Sequence, residues 1–300
     1  MTSDFQDATL TGTGYRGRFA PSPSGPLHAG SLLAALGSWL LARQAGGEWL
    51  VRIEDLDPPR EIPGMAAQHL EALARFGMTS DRPVLWQSTR GDAYADALER
   101  LVASEDAYPC RCSRADLEAT GGIHRACVAS PSGTMPGWRL RMPAQRISVI
   151  DRIRGDISQD LAAEVGDVVL RRADGPWAYQ LAVVVDDGAQ GITDIVRGAD
   201  LLDSTPRQAW LQRRLGLPTP SYAHLPLLRL RDGRKLSKSE DAAPVDPADP
   251  LPSLRRAWAA LGQHPGGMDG TAHSGRALAR ALAEFEPLRI PSQDRVLPGQ

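Results

Sequence analysis

Leu32, Leu33, Leu36, Trp39 and Leu40 recur at helical spacing, and on either side of them lie two short runs, residues 15–20 and 48–53, with the pattern of strands. The stretch Pro21-Ser22-Pro23-Ser24-Gly25-Pro26 supplies the turn out of the first run. Strand, helix and strand in that order form a βαβ unit, which predicts an α/β fold on a parallel sheet with helices packed against it. Helical patterns return at 64–76 and 92–104, and 204–215 reads as a helix opening at a Ser/Thr cap. Short β-branched or apolar runs at 168–172 and 182–185, and a last one at 225–230, have the look of strands.

This rhythm divides the chain. Residues 1–13 are polar and aperiodic and read as a mobile N-terminal extension. The first half of the α/β domain spans 14–107, an inserted subdomain 108–165, and the second half 166–241. Residues 242–300 open with a linker rich in Pro, Asp and Ala and continue as a short helical appendix, interrupted by a Gly-rich loop.

Composition narrows the possibilities. A chain of 300 residues can bury a full core, and a formal charge of −2 gives no global basic field, so any RNA contact has to use a local patch. The longest apolar run, 32–42, is broken by Gly37 and Ser38 and is too short for a membrane span. With no apolar leader and only three cysteines, the expectation is a soluble cytoplasmic protein without disulfides or a membrane partner, acting as a monomer. Lys and Arg total 34, yet the only lysines are Lys235 and Lys238. A chain that otherwise uses Arg for positive charge places two compact, strongly hydrated ammonium groups three residues apart.

The cysteines are clustered. Cys110-Arg111-Cys112 and His124-Arg125-Ala126-Cys127 bring three thiols and an imidazole together, the ligand count and softness of a closed structural Zn²⁺ site. The plain alternative is three inert thiols and a surface histidine. His28-Ala29-Gly30-Ser31 falls where the first strand turns into the first helix, a place where free N–H groups suit phosphate. There Gly30 leaves room for a nucleotide and His28 adds a donor. Far downstream, Lys235-Leu236-Ser237-Lys238-Ser239 offers two ammonium groups and two hydroxyls.

These two segments together resemble the paired signatures of class I aminoacyl-tRNA synthetases, which meet around the triphosphate of ATP. The first departs from the family's H-I-G-H at Ala29 and Ser31, the second from K-M-S-K-S only at Leu236. Ser31 can donate a hydrogen bond but cannot become cationic, which implies weaker ATP binding. Arg18-Phe19-Ala20-Pro21-Ser22-Pro23-Ser24-Gly25, Arg52-Ile53-Glu54-Asp55-Leu56-Asp57, Tyr179-Gln180-Leu181-Ala182-Val183-Val184-Val185-Asp186-Asp187 and Ile195-Val196-Arg197-Gly198-Ala199-Asp200 look like the catalytic core of glutamyl-tRNA synthetases.

The resemblance implies a Rossmann-like catalytic domain with an inserted zinc-containing subdomain. It gives His28, Gly30, Ser31, Lys235, Ser237 and Lys238 to ATP with Mg²⁺, His28, Ser31, Lys235 and Lys238 being the catalytic groups. It assigns Arg18 and Arg197 to the negative groups of L-glutamate, Ser22 and Tyr179 to hydrogen bonds, and Glu54 to the α-ammonium. Taken singly, the arginines read equally well as surface charges, Glu54, Asp55 and Asp57 as a solvated loop or Mg²⁺ site, and Tyr179 as core. In the relatives a tyrosine stands where His124 stands.

Only about sixty residues follow the second signature, against the large helical anticodon-binding region of a discriminating glutamyl-tRNA synthetase. The resemblance is therefore to the family's short paralogues, which activate glutamate without tRNA and attach it to the queuosine base in the anticodon of tRNA(Asp). A truncated conventional glutamyl-tRNA synthetase and a non-catalytic RNA-binding paralogue are the alternatives.

Overall fold

The computed structural model describes residues 14–129, 135–229 and 244–296. Strand β1 (Arg16–Phe19) leads through helix α1 (Ala29–Gln44) to β2 (Glu48–Ile53), and the two strands pair in parallel, Arg18 opposite Leu50. Helix α2 (Met65–Arg75) leads on to β3 (Leu85–Trp86), and α3 (Gly91–Ala103) to β4 (Ala107–Cys110). β5 (Gly137–Leu140), the hairpin β6 (Arg146–Asp151) and β7 (Gly155–Asp160), and β8 (Val168–Arg171) follow. Next come α4 (Tyr179–Gln190), β9 (Asp194–Gly198), α5 (Thr205–Arg214), β10 (Ser221–Leu225) and the two-residue β11 (Leu228–Arg229). Helices α6 (Pro250–Ala260) and α7 (Ser274–Glu284) and the short β12 (Arg295–Val296) close the described chain.

The main sheet has seven strands in the order β3-β2-β1-β9-β10-β6-β7, parallel except for the last pair. Its strand order reverses between β1 and β9, and a crevice at the carboxyl ends of the strands on either side of such a reversal is where α/β sheets bind ligands. β4, β5 and β8 form a separate antiparallel sheet that carries Cys110. The hairpin β6–β7, which lies within the 108–165 stretch, joins the edge of the main sheet through Tyr222 and Asp151.

Burial explains these choices. Five of the six residues of β2 are buried, as expected of a parallel strand covered on both faces. α1 is buried over most of its length, and the Gly37-Ser38 break fits this: Ser38 Oγ donates to the Ala35 carbonyl at 3.0 Å and accepts from Trp49 Nε1 at 2.9 Å. The 182–185 run, strand-like in sequence, lies inside α4. Leu181, Ala182, Val183 and Val184 are all buried, and packing there outweighs the weak strand preference of valine. The expected last strand at 225–230 instead falls mainly at Ser221–Leu225, where a buried polar His224 hides the apolar pattern.

The helices beyond residue 250 complete the main core. Leu254, Trp258 and Leu261 pack with α1 residues in one cluster, which also takes in Leu278, Phe285 and Ile290. Trp258 donates its Nε1 proton to the His264 carbonyl at 2.8 Å, and the Gly-rich loop closes over its ring so tightly that a Cβ on Gly267 would stand 2.6 Å from it. Trp258→Ala should therefore cost about 3 to 5 kcal/mol. Urea unfolding checks it; a loss below about 1 kcal/mol would mean that this helix is an independent appendage.

Candidate active site

A cleft of about 450 Å³ opens at the carboxyl ends of β1, β9 and β10. Its walls include Arg18, Ser22, Glu54, Tyr179 and Arg197 from one group of expected site residues and His28, Gly30 and Ser31 from the other. Lys235, Ser237 and Lys238 lie outside the described residues. The chain runs towards them from Leu228, which lines the cleft, and afterwards Val245 N–H donates to the Leu27 carbonyl at 2.9 Å while Pro244 bridges His28. The described chain before that segment thus borders the cleft, and the described chain after it borders the first signature.

His28 caps α1. Its Nδ1 accepts the backbone N–H of Gly30 at 3.0 Å and of Ser31 at 3.3 Å, so two of the helix donors expected to face a ligand are taken by the cap itself. An accepting Nδ1 leaves the proton of the neutral ring on Nε2. The space beside Gly30 is filled by this ring, 3.0 Å from where a Cβ would stand, so Gly30 has a packing reason for being glycine.

Arg18 and Arg197 are both buried, not surface charges. Arg18 donates from Nε and Nη2 to Asp187 at 3.1 and 3.4 Å, and among the described residues its Nη1 has no hydrogen-bond partner. Asp187 also accepts from Arg52 Nη1 at 2.7 Å, and Arg52 reaches Glu54 at 3.2 Å, so Glu54 belongs to a buried charge network and not to a solvated loop. Burial pushes the Asp187 carboxyl up, but the two guanidiniums outweigh it and hold it below the ordinary range. At Glu54 burial prevails over Arg52 and Arg18, and its carboxyl lies above the ordinary range. Asp187 and Arg52 were legible only as members of motifs, because nothing in a sequence shows which charge faces which.

Arg197 differs. Its Nε donates to His224 Nε2 at 3.0 Å, Nη1 to Gln208 at 2.8 Å and Tyr179 Oη at 3.4 Å, and Nη2 to Thr205 Oγ1 at 3.0 Å and the Leu201 carbonyl at 3.3 Å. All these partners are neutral, and among the described residues no carboxylate pairs with it. Hydrogen bonds make the burial tolerable, while the charge itself has no counter-ion among the described residues.

In the small sheet, the ligand atoms of Cys110, Cys112, His124 and Cys127 lie within 4.8 Å of one another. His124 Nε2 stands 3.2 Å from Cys110 Sγ, while its Nδ1 faces Tyr108 Oη at 3.2 Å, which in turn donates to Asp167 at 2.5 Å. A soft Cys₃His set with an outer carboxylate orienting the imidazole fits a tetrahedral metal. No helix among the described residues is long and apolar enough to cross a membrane.

Residues 15–135 and 129–249 match the class I tRNA synthetase (E and Q) catalytic domain, and the chain belongs to that family. It is 62% identical, over 92% of its own length and 93% of the relative's, to a glutamyl-Q tRNA(Asp) synthetase of Xanthomonas campestris pv. campestris (strain 8004). It is 56% identical over 83% and 88% to one of the same name from Burkholderia cenocepacia. Among solved structures, a glutamate tRNA ligase of Elizabethkingia meningosepticum, in complex with its amino acid, superposes with a TM-score of 0.79. That match has 27% identity and covers 94% of this chain and 67% of the ligase.

Asp187→Asn would leave the buried guanidiniums of Arg18 and Arg52 sharing a neutral amide. It should destabilise the fold by about 3 to 5 kcal/mol in urea, the cost of breaking a buried ion pair from one side. A change below about 1 kcal/mol would mean that the network is solvated.

Proposed function

We propose that this protein activates L-glutamate with ATP, without tRNA, and then transfers the glutamyl group to the queuosine base of tRNA(Asp) in the cytoplasm. The observation that carries the reading is Arg197, a buried cation with neutral neighbours in a cleft whose other end is the His28 turn. Of the charged side chains that line the cleft, Arg18 is already paired with Asp187, whereas Arg197 has no carboxylate partner among the described residues, and a carboxylate of glutamate supplies one. Glu54 takes its ammonium, Arg18 and Arg197 take its carboxylates, and Ser22 and Tyr179 complete the contacts.

In the reaction an α-carboxylate oxygen attacks the α-phosphorus of ATP. The bond to the bridging oxygen breaks, and pyrophosphate leaves with the electron pair. His28 Nε2–H, the Ser31 hydroxyl, Lys235, Ser237 and Lys238 hold the phosphates and spread the charge that develops on them, while Gly30 serves the cap that aims the His28 ring. Mg²⁺, when bound with ATP, adds charge neutralisation there. Cys110, Cys112, His124 and Cys127 would hold Zn²⁺ and brace the small sheet.

Support for the transfer step comes from the names of the relatives, which the chain matches nearly end to end. The assay is incubation with ATP, labelled glutamate and tRNA(Asp) with or without queuosine. Label should appear only on the queuosine-containing RNA, whereas label at the 3′ end of tRNA(Glu) would establish a conventional synthetase, and no pyrophosphate exchange with glutamate a non-catalytic one.

Glu54 adds a pH dependence. Its carboxyl is raised chiefly by burial, so it takes a proton at higher pH than an exposed glutamate would. Affinity for glutamate should be complete above that raised pKa and fall as pH drops through it. The Michaelis constant for glutamate, followed from about pH 8 down to about pH 5, should rise in the wild type and be flat but high in Glu54→Gln. A flat wild-type profile would remove the ammonium from Glu54.

A further inference from the structure

We propose that Asp151 and His224 form a relay that orients Arg197 for its anionic ligand, making both positioning residues for amino-acid recognition although neither lines the cleft. The inference rests on the reading of Arg197 given above and concerns what holds that guanidinium in place.

Arg197 Nε–H needs an acceptor, and the one it has is His224 Nε2 at 3.0 Å. An imidazole can accept there only as the neutral tautomer protonated on Nδ1. Asp151 imposes that tautomer: its Oδ2 lies 2.7 Å from His224 Nδ1, and both side chains are fully buried. The carboxylate is itself locked, because its Oδ1 accepts three backbone N–H groups, those of Ile153 at 2.9 Å, Arg154 at 2.8 Å and His224 at 3.2 Å. Asp151 comes from β6, His224 from β10 and Arg197 from β9, three neighbouring strands of the sheet, so the relay crosses it at the level of the cleft.

The groups facing His224 agree on its state. Asp151 stands on one side, and Arg197 and the Thr205 hydroxyl, 3.3 Å from Nε2, on the other. Tyr222 stacks alongside at 6.2 Å between ring centroids, and Arg154 donates to the His224 carbonyl at 3.3 Å. Burial, helped by Arg197, outweighs Asp151 and holds the imidazole below its ordinary pKa. The neutral ring therefore persists at neutral pH, and the relay is lost only as pH falls through that lowered value.

Asp151→Asn discriminates this role from a packing one. The amide oxygen must stay where three backbone donors converge, which turns the amide NH₂ towards His224 Nδ1. The ring then has to accept on Nδ1 and carry its proton on Nε2, donor against donor with Arg197. The test is pyrophosphate exchange by the full-length protein, beginning with the wild type. Without glutamate-dependent exchange there, the reading of the cleft falls and the relay with it.

Given an active wild type, Asp151→Asn should raise the Michaelis constant for glutamate about 10- to 100-fold and change that for ATP by less than about twofold. ¹⁵N chemical shifts should show the His224 proton moving from Nδ1 to Nε2. His224→Phe should share the loss, and His224→Gln, whose amide oxygen can accept from Arg197, should recover most of it. An unchanged glutamate constant, equal rises for glutamate and ATP, or no difference between the Phe and Gln variants overturns the relay while leaving the activity assignment standing. Should Asp151→Asn not fold, the two His224 variants decide the matter by themselves.

Discussion

A guanidinium taken out of water with only neutral neighbours is the constraint around which this molecule is arranged. Arg197 makes five hydrogen bonds and no ion pair among the described residues. Asp151 stands behind the ring of His224 and steadies the charge without occupying its first neighbours. Arg18 is the complement, with its charge paired to Asp187 and its Nη1 left, among the described residues, to donate elsewhere. One residue brings unmet charge and the other unmet hydrogen-bonding capacity, and a ligand with two carboxylates and an ammonium answers both.

The fold exists to hold these groups together. Arg18 ends β1, Arg197 lies on β9, and Asp187 hangs from α4, whose buried valines press it onto the sheet. The helices after residue 250 close the core under α1 and so fix the turn at which His28 caps that helix. A site that discriminates by charge requires such rigidity, since a displaced guanidinium would solvate itself and lose its appetite for the substrate.

The βαβ opening was legible because its hydrophobic spacing is strong, and Arg18, Ser22, Glu54, Tyr179, Arg197, His28, Gly30 and Ser31 do line one cleft. The cysteine and histidine spacing likewise led to a cluster of the right size. Strand signals failed where packing overrode preference, at 182–185, and where polar residues sat in the core, at His224 and Asp151. A buried histidine between an aspartate and an arginine leaves no periodic trace, and the isolation of Arg197 is a property of its neighbours in space. Lys235, Ser237 and Lys238 lie outside the described residues.

The most direct test of the charge account is equilibrium binding of glutamate and glutamine, measured by calorimetry on the same protein without tRNA. The two ligands have nearly the same shape and differ by one charge. Glutamate should bind at least about tenfold more tightly, because only it supplies the anion that the cleft lacks. Equal affinities would contradict the account, since a site that takes both alike is not completed by that charge.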